Sequence, residues 1–189
     1  MRVLWLLLLA AWCGGSGACG GDEPADVYHS VRWGYTVTVP DGWYRAADTL
    51  TPNLDDPREV LTVATFPLHY REGKCAQFPS SALSDMGTTD VLLTVQERGT
   101  DPRSRWHDFP PRPAEFRFQP GQGSEAVDCV SGPVRFVDHW FRFTDGGRHF
   151  HVEVALGTAA PEAARRAAYA ILDSLRIDPN VTPDWTSSG

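Results

Sequence analysis

Lysine is nearly absent from this chain: Lys74 is the only one, and every other base is an arginine. That bias fits a GC-rich coding sequence and carries no chemistry. Basic charge is not gathered anywhere either. The 17 bases are outnumbered by 24 acids, for a net charge of −7, and an acidic chain without a basic stripe excludes nucleic acid as a partner. No apolar run approaches the roughly 20 residues that a bilayer-spanning helix needs. Cysteine is sparse at four residues, and none belongs to a CxxC pair. H-E-x-x-H, the P-loop and the dinucleotide-binding glycine pattern are all missing. Gly121-Gln122-Gly123-Ser124-Glu125 is not a G-x-S-x-G elbow, and no strand-to-helix turn follows it. No catalytic residue and no cofactor is expected.

What is present at the N-terminus is an address. Met1-Arg2 is a short positive start, Val3 to Trp12 is unbroken apolar sequence, and Gly14 to Ala18 is a run of small residues. That order is the pattern of a secretory signal peptide. Cys13 follows the bulky Trp12, whereas Cys19 follows Ser16-Gly17-Ala18, which resembles the lipobox of bacterial lipoproteins, with Ser16 where an aliphatic residue is commonest. The resemblance implies a signal peptide over 1–18, a diacylglycerol on the Cys19 thiol and a tether over 19–26. Burial of acyl chains is worth about 0.8 kcal/mol per CH₂, enough to hold the chain at a membrane when two or three are attached. The alternative is ordinary cleavage nearby, giving a secreted protein. Loss of the signal removes Arg2 and no acid, so 16 bases then face 24 acids, a net charge of −8.

With Cys13 removed and Cys19 lipidated, Cys75 and Cys129 remain. Two cysteines in an oxidising compartment pair, and they read as a structural staple.

Between tether and tail, the sequence reads as a single domain over 27–178. Val27 to Trp33 and Tyr35 to Val39 alternate as strands do, with Asp41-Gly42 after Pro40 as a tight turn. Glu59 to Phe66 and Val91 to Gln96 are further strands, with a serine-capped short helix over Ser80 to Met86 between them. Thr100 to Pro113 is a loop, Glu115 to Phe118 a strand, and Gly121 to Gly123 a turn. Val134 to Thr144 and Arg148 to Leu156 form a hairpin closed at Gly146-Gly147. From Pro161, the residues Ala164, Ala168, Ile171, Leu172 and Leu175 recur at helical spacing on one face, with Pro179 as the stop. An apolar helix face needs a sheet to cover, so the class is α+β: an antiparallel sheet covered by helices, with the C-terminal helix packed on it. Residues 179–189 read as a disordered tail.

Two segments carry a family resemblance. Tyr35 to Trp43, YTVTVPDGW, and the closing phrase Leu172 to Arg176, LDSLR, resemble the PsbP-like family, which includes LpqN-type bacterial lipoproteins. The resemblance implies an α/β/α sandwich without inherent enzymatic activity, used to bind proteins or small envelope components. Its motifs are structural and bring no site residue across.

Two candidate sites remain. His149, His151 and Glu153 alternate along one strand and share a face. His-x-His with a carboxylate is a way to present metal ligands, but Arg142 on the neighbouring strand would repel a cation, so the histidines read instead as decorating a solvent face or a helix-covered groove. The other face, with Phe141, Phe143, Phe150 and Val152, reads as core. In the Pro-rich loop, Arg105, Trp106 and Phe109 form a possible contact surface for an anionic or aromatic ligand, or else anchor that loop on the sheet. The function expected is a non-catalytic binding or scaffolding lipoprotein at the outer face of the cytoplasmic membrane, with an envelope protein or lipid as partner. The alternatives are a hydrolase or metal-dependent enzyme using the His149/His151/Glu153 face, and a structural spacer.

Overall fold

Period-two alternation of β-branched and aromatic residues produces two antiparallel sheets in the computed structural model, which describes residues 25–99, 109–117 and 126–183. Strands β1 (Ala25–Ser30) and β2 (Tyr35–Pro40) form a hairpin, with Tyr28 opposite Val37. β3 (Tyr44–Arg45), β4 (Arg58–Ala64), β5 (Val91–Arg98), β6 (Phe136–Asp145) and β7 (Arg148–Gly157) build a larger sheet in the order β3-β4-β5-β7-β6. Helix α1 (Ser80–Asp85) precedes β5, helix α2 (Glu162–Ser174) follows β7, and β8 (Arg176–Ile177) returns to pair with β2. The class is α+β.

Both faces of the large sheet are buried over β4 to β7, because these strands alternate between two apolar clusters. Val91, Leu93 and Val95 of β5 join Phe143, Phe150, Val152 and Val154 on one face, beneath β2 and the apolar side of α2. Leu92, Ala64, Ala155 and Phe136 point the other way, beneath α1 and the segments carrying Cys75 and Cys129. Each fully buried large aliphatic or aromatic side chain contributes roughly 1.5–3 kcal/mol. The expected cysteine pair is formed, across a sequence separation of 54, and closing a loop of that length is worth about 4 kcal/mol in the chain-entropy picture.

Several elements differ from the sequence expectation. The face of the large sheet holding Leu93 and Val152 is covered by a small second sheet, β1-β2-β8, as well as by a helix. α1 has Pro79 at its N-cap and no side-chain capping bond, so no serine caps it. Pro179 does not end α2. The helix stops at Ser174, where Leu175 turns to an extended conformation (ψ 125) and leads into β8. Arg176 nevertheless reaches back, donating from Nη1 to the carbonyls of Asp173 and Leu175 at 2.5 and 3.0 Å, where a cation suits the helix dipole.

Glu115–Arg117 forms no strand. Pro110, Pro111 and Pro113 have no N–H to give to a ladder, and the segment is pinned by isolated bonds. Arg112 N donates to Thr144 O (3.0 Å), and the Arg112 guanidinium spans Asp145 Oδ2 (3.1 Å) and Leu172 O (2.5 Å). Phe116 N donates to Asp173 Oδ1 (2.8 Å) while its ring meets Phe141 and Phe143 edge-on. The start of the expected tail is also docked. Val181 N donates to Asp178 O (3.3 Å), its side chain lies against Gly34, and Pro183 is buried. Residues 1–24, including Cys19, lie outside the described residues, as do Arg105, Trp106 and Gly121–Gly123.

Candidate functional site

An open cleft of about 610 Å³ separates the β1–β2 hairpin from the 45–58 segment that leads into β4. Small-molecule sites commonly measure ~300–1,000 Å³ and combine apolar walls with a few placed polar groups. One wall is aromatic: Tyr28, Trp33 and Tyr35, with Tyr70 near the rim. Tyr28 and Tyr35 are held on the inward side of the hairpin by strand alternation, their ring centroids 6.0 Å apart.

The opposite wall depends on an irregularity in β4. Register with β5 shifts between Glu59 and Leu61, a bulge centred on Val60. A bulged residue loses its place in the ladder and re-aims its neighbours. Here the Val60 carbonyl accepts the Tyr35 hydroxyl at 2.7 Å, which joins the two walls at the floor. Glu59 Oε2 accepts Leu50 N (2.8 Å), Thr51 Oγ1 (3.0 Å) and Thr49 Oγ1 (3.2 Å), and its Oε1 accepts Thr62 Oγ1 (2.6 Å). Burial pushes this carboxyl up, and the same hydrogen bonds oppose the push. With four donors in place, Glu59 braces the 49–51 segment and has little capacity left for a ligand.

Guanidinium groups lie on the aromatic wall. Arg45 Cζ is 3.9 Å from the Tyr28 ring centroid, and Arg32 Cζ is 4.9 Å from that of Trp33. Burial raises the Tyr35 hydroxyl strongly, Tyr28 adding to the rise, Arg45 opposing it and Glu59 adding again. Arg45 and Glu59 therefore both bear on the same point of the floor. No histidine, cysteine or lysine is among the described residues lining the cleft.

The residues singled out from sequence lie elsewhere. His149, His151 and Glu153 do share a face of β7, opposite Thr144, Arg142 and Trp140. That face is not open to solvent at His151, which is buried, and the cover is an aromatic ring, not a helix. Phe109 packs edge-on against His149 and His151, at 5.4 and 4.8 Å between centroids. Phe109 is itself buried, so of the expected loop surface this ring anchors the chain to the sheet. His151 Nε2 accepts Arg98 Nε at 2.8 Å, which occupies one of the two ring nitrogens open to a metal. Burial, then Arg98 and Arg142, lower its pKa to about 3. No group of three or more metal-ligating side chains occurs among the described residues.

Strand alternation did not signal a second acidic feature on this face. Glu153 is accompanied by Asp138 of β6, whose Oδ2 accepts Trp140 Nε1 at 3.3 Å. Both are buried inside the cluster that includes Phe78, Ala155 and Cys129.

Together these features define an α+β domain with an open, aromatic-lined cleft and a carboxylate-braced wall. No protein-family model matches the chain, and no curated protein matches it with significance.

Proposed function

We propose that the chain is an exported, non-catalytic binding module, anchored through Cys19 at the outer face of the cytoplasmic membrane, and that its ligand occupies the cleft between Tyr28 and Glu59. The cleft carries this reading. Its walls are fixed before any ligand arrives, by the Tyr35–Val60 bond and by the four donors on Glu59, and preorganisation lowers the cost of binding. Aromatic rings offer contact area at low entropic cost. Catalysis is less well supported, because the one buried acid in the cleft is engaged by structural donors and no imidazole or thiol stands beside it. The reading agrees with what a PsbP-like sandwich implies, a binding scaffold without inherent activity. A tether of six residues from Cys19 reaches at most about 20 Å, so β1 and the cleft beside it would stay close to the membrane.

The test is native mass spectrometry of the full chain purified from its own membranes. A small molecule or lipid should copurify and be lost in a Tyr28→Ala/Trp33→Ala variant that still unfolds cooperatively. A ligand retained by that variant would remove the cleft from the reading. Cys19→Ser should release the protein from membranes, and continued retention would overturn the anchor.

A further inference from the structure

The cleft holds several charged groups, and their partners separate the structural ones from those offered to a ligand. Glu59 is saturated by four donors. Arg58 Nε is held by the Asp55 carbonyl at 3.1 Å. Asp48 and Asp55 are exposed at the rim, where water screens them. Arg45 is different. Among the described residues its guanidinium gives one hydrogen bond, from Nη1 to the Ala46 carbonyl at 3.0 Å, and its Cζ lies 3.9 Å from the Tyr28 ring centroid. It has no ion-pair partner among the described residues.

We infer that the cleft takes an anionic small molecule, a carboxylate or phosphate monoester on a ring-bearing body, and that Arg45 fixes its charged end. The inference rests on reading the cleft as a binding site and adds the class of ligand.

Three observations converge on it. Contact with Tyr28 and the single bond to Ala46 leave other guanidinium N–H groups of Arg45 unengaged among the described residues, and such groups match a carboxylate or phosphate. Tyr28 also shields one side of the cation from water, so an anion meeting it gains more than at an open surface. Finally, Arg45 sits on Tyr28, whose ring centroid is 6.0 Å from that of Tyr35, so its charge lies beside the rings against which a ligand ring would seat. A cationic ligand has no equivalent, since Glu59, the buried acid among the described residues of the lining, already accepts four hydrogen bonds.

The experiment compares binding of benzoate, phenyl phosphate, benzyl alcohol, benzylamine and inorganic phosphate to the full chain by titration calorimetry. Wild type is set beside Arg45→Ala, Arg45→Lys and Arg166→Ala. The last removes the same charge from an exposed position on α2. At least one of benzoate and phenyl phosphate should bind roughly tenfold or more tightly than benzyl alcohol, the factor expected of one charge-assisted hydrogen-bond pair. Which of the two is tighter identifies carboxylate or phosphate as the natural head. Arg45→Ala should abolish the preference, Arg45→Lys should keep part of it, and Arg166→Ala all of it. The inference is overturned if benzylamine binds best, if Arg45→Ala keeps the anion preference, or if no anion binds at millimolar concentration. Benzyl alcohol binding without any anion preference would overturn it while leaving the cleft as a binding site.

Discussion

Asp138 and Glu153 occupy successive same-face positions across β6 and β7, Asp138 opposite Ala155 and Glu153 opposite Trp140. Both are buried, at 0 % and 4 % exposure, and each has a carboxylate oxygen without a hydrogen-bond partner among the described residues. Two carboxylates so placed cannot both ionise cheaply. Burial first, then the charge of Asp138, drives Glu153 well above its ordinary pKa of 4.5.

That relationship predicts a pH dependence of stability. An acid with a native pKa above its unfolded value contributes its full stabilisation below the unfolded pKa, and that contribution is lost as pH rises toward the native pKa. Glu153→Gln keeps the size and removes the titration. In urea melts, the stability of wild type relative to Glu153→Gln should therefore fall steadily from about pH 5 to 8. Taking the difference cancels the buried His139 and His151, which act with the opposite sign as pH falls below 6.5, and also Glu59 and Glu97, which act with the same sign. A flat difference would mean that Glu153 is ionised in the native protein.

Arg148 ties the hairpin turn to the sheet. It donates from Nε to Glu97 Oε1 (2.6 Å) and from Nη2 to Glu97 Oε2 (2.5 Å), and it also reaches the carbonyls of Trp33 (2.7 Å) and Gly34 (3.3 Å). Arg148→Leu strands a buried carboxylate and should cost about 3–5 kcal/mol. Adding Glu97→Leu should recover part of that loss. Denaturant midpoints of the two single variants and the double variant measure the coupling, and simple additivity would contradict the pairing.

Gly34 is fixed by what lies against it. Its φ is +57, and a Cβ there would stand 2.3 Å from Cβ of Val181. Gly34→Ala should destabilise by about 1–3 kcal/mol. Val181→Ala removes the two Cγ contacts but keeps the closest one, at Cβ, and should rescue only a small part, whereas Val181→Gly should recover the steric share and leave the backbone strain. Full rescue by Val181→Ala, read from thermal unfolding, would show that the 178–183 segment does not dock as described.

The sequence was most legible where one short stretch carries its own periodicity. The β6–β7 hairpin follows from alternation and from Gly146 and Gly147, both at positive φ. Helix α2 follows from Ala168, Ile171 and Leu172. Strand alternation correctly grouped His149, His151 and Glu153 on one face, but it cannot say what lies over that face. Over His149 and His151 the cover is Phe109, from a distant and irregular segment. On β6 the polarity is inverted, with Asp138 sealed and Val137 52 % exposed, because the disulfide-bearing segments bury the face that a hydrophobic pattern would leave to water. The cleft was invisible for a related reason. Tyr28, Arg45 and Glu59 come from separate elements, and a bulge in β4 aims the wall that completes it.

The Cys75–Cys129 bridge closes a covalent ring that contains α1 and β5. β5 has β4 on one side and β7 on the other, so the middle of the sheet lies inside the ring. A protease that cuts the backbone once anywhere between the two cysteines therefore leaves a single molecule, nicked but undivided. Its two pieces would separate on a gel only after the sulfur bridge is reduced.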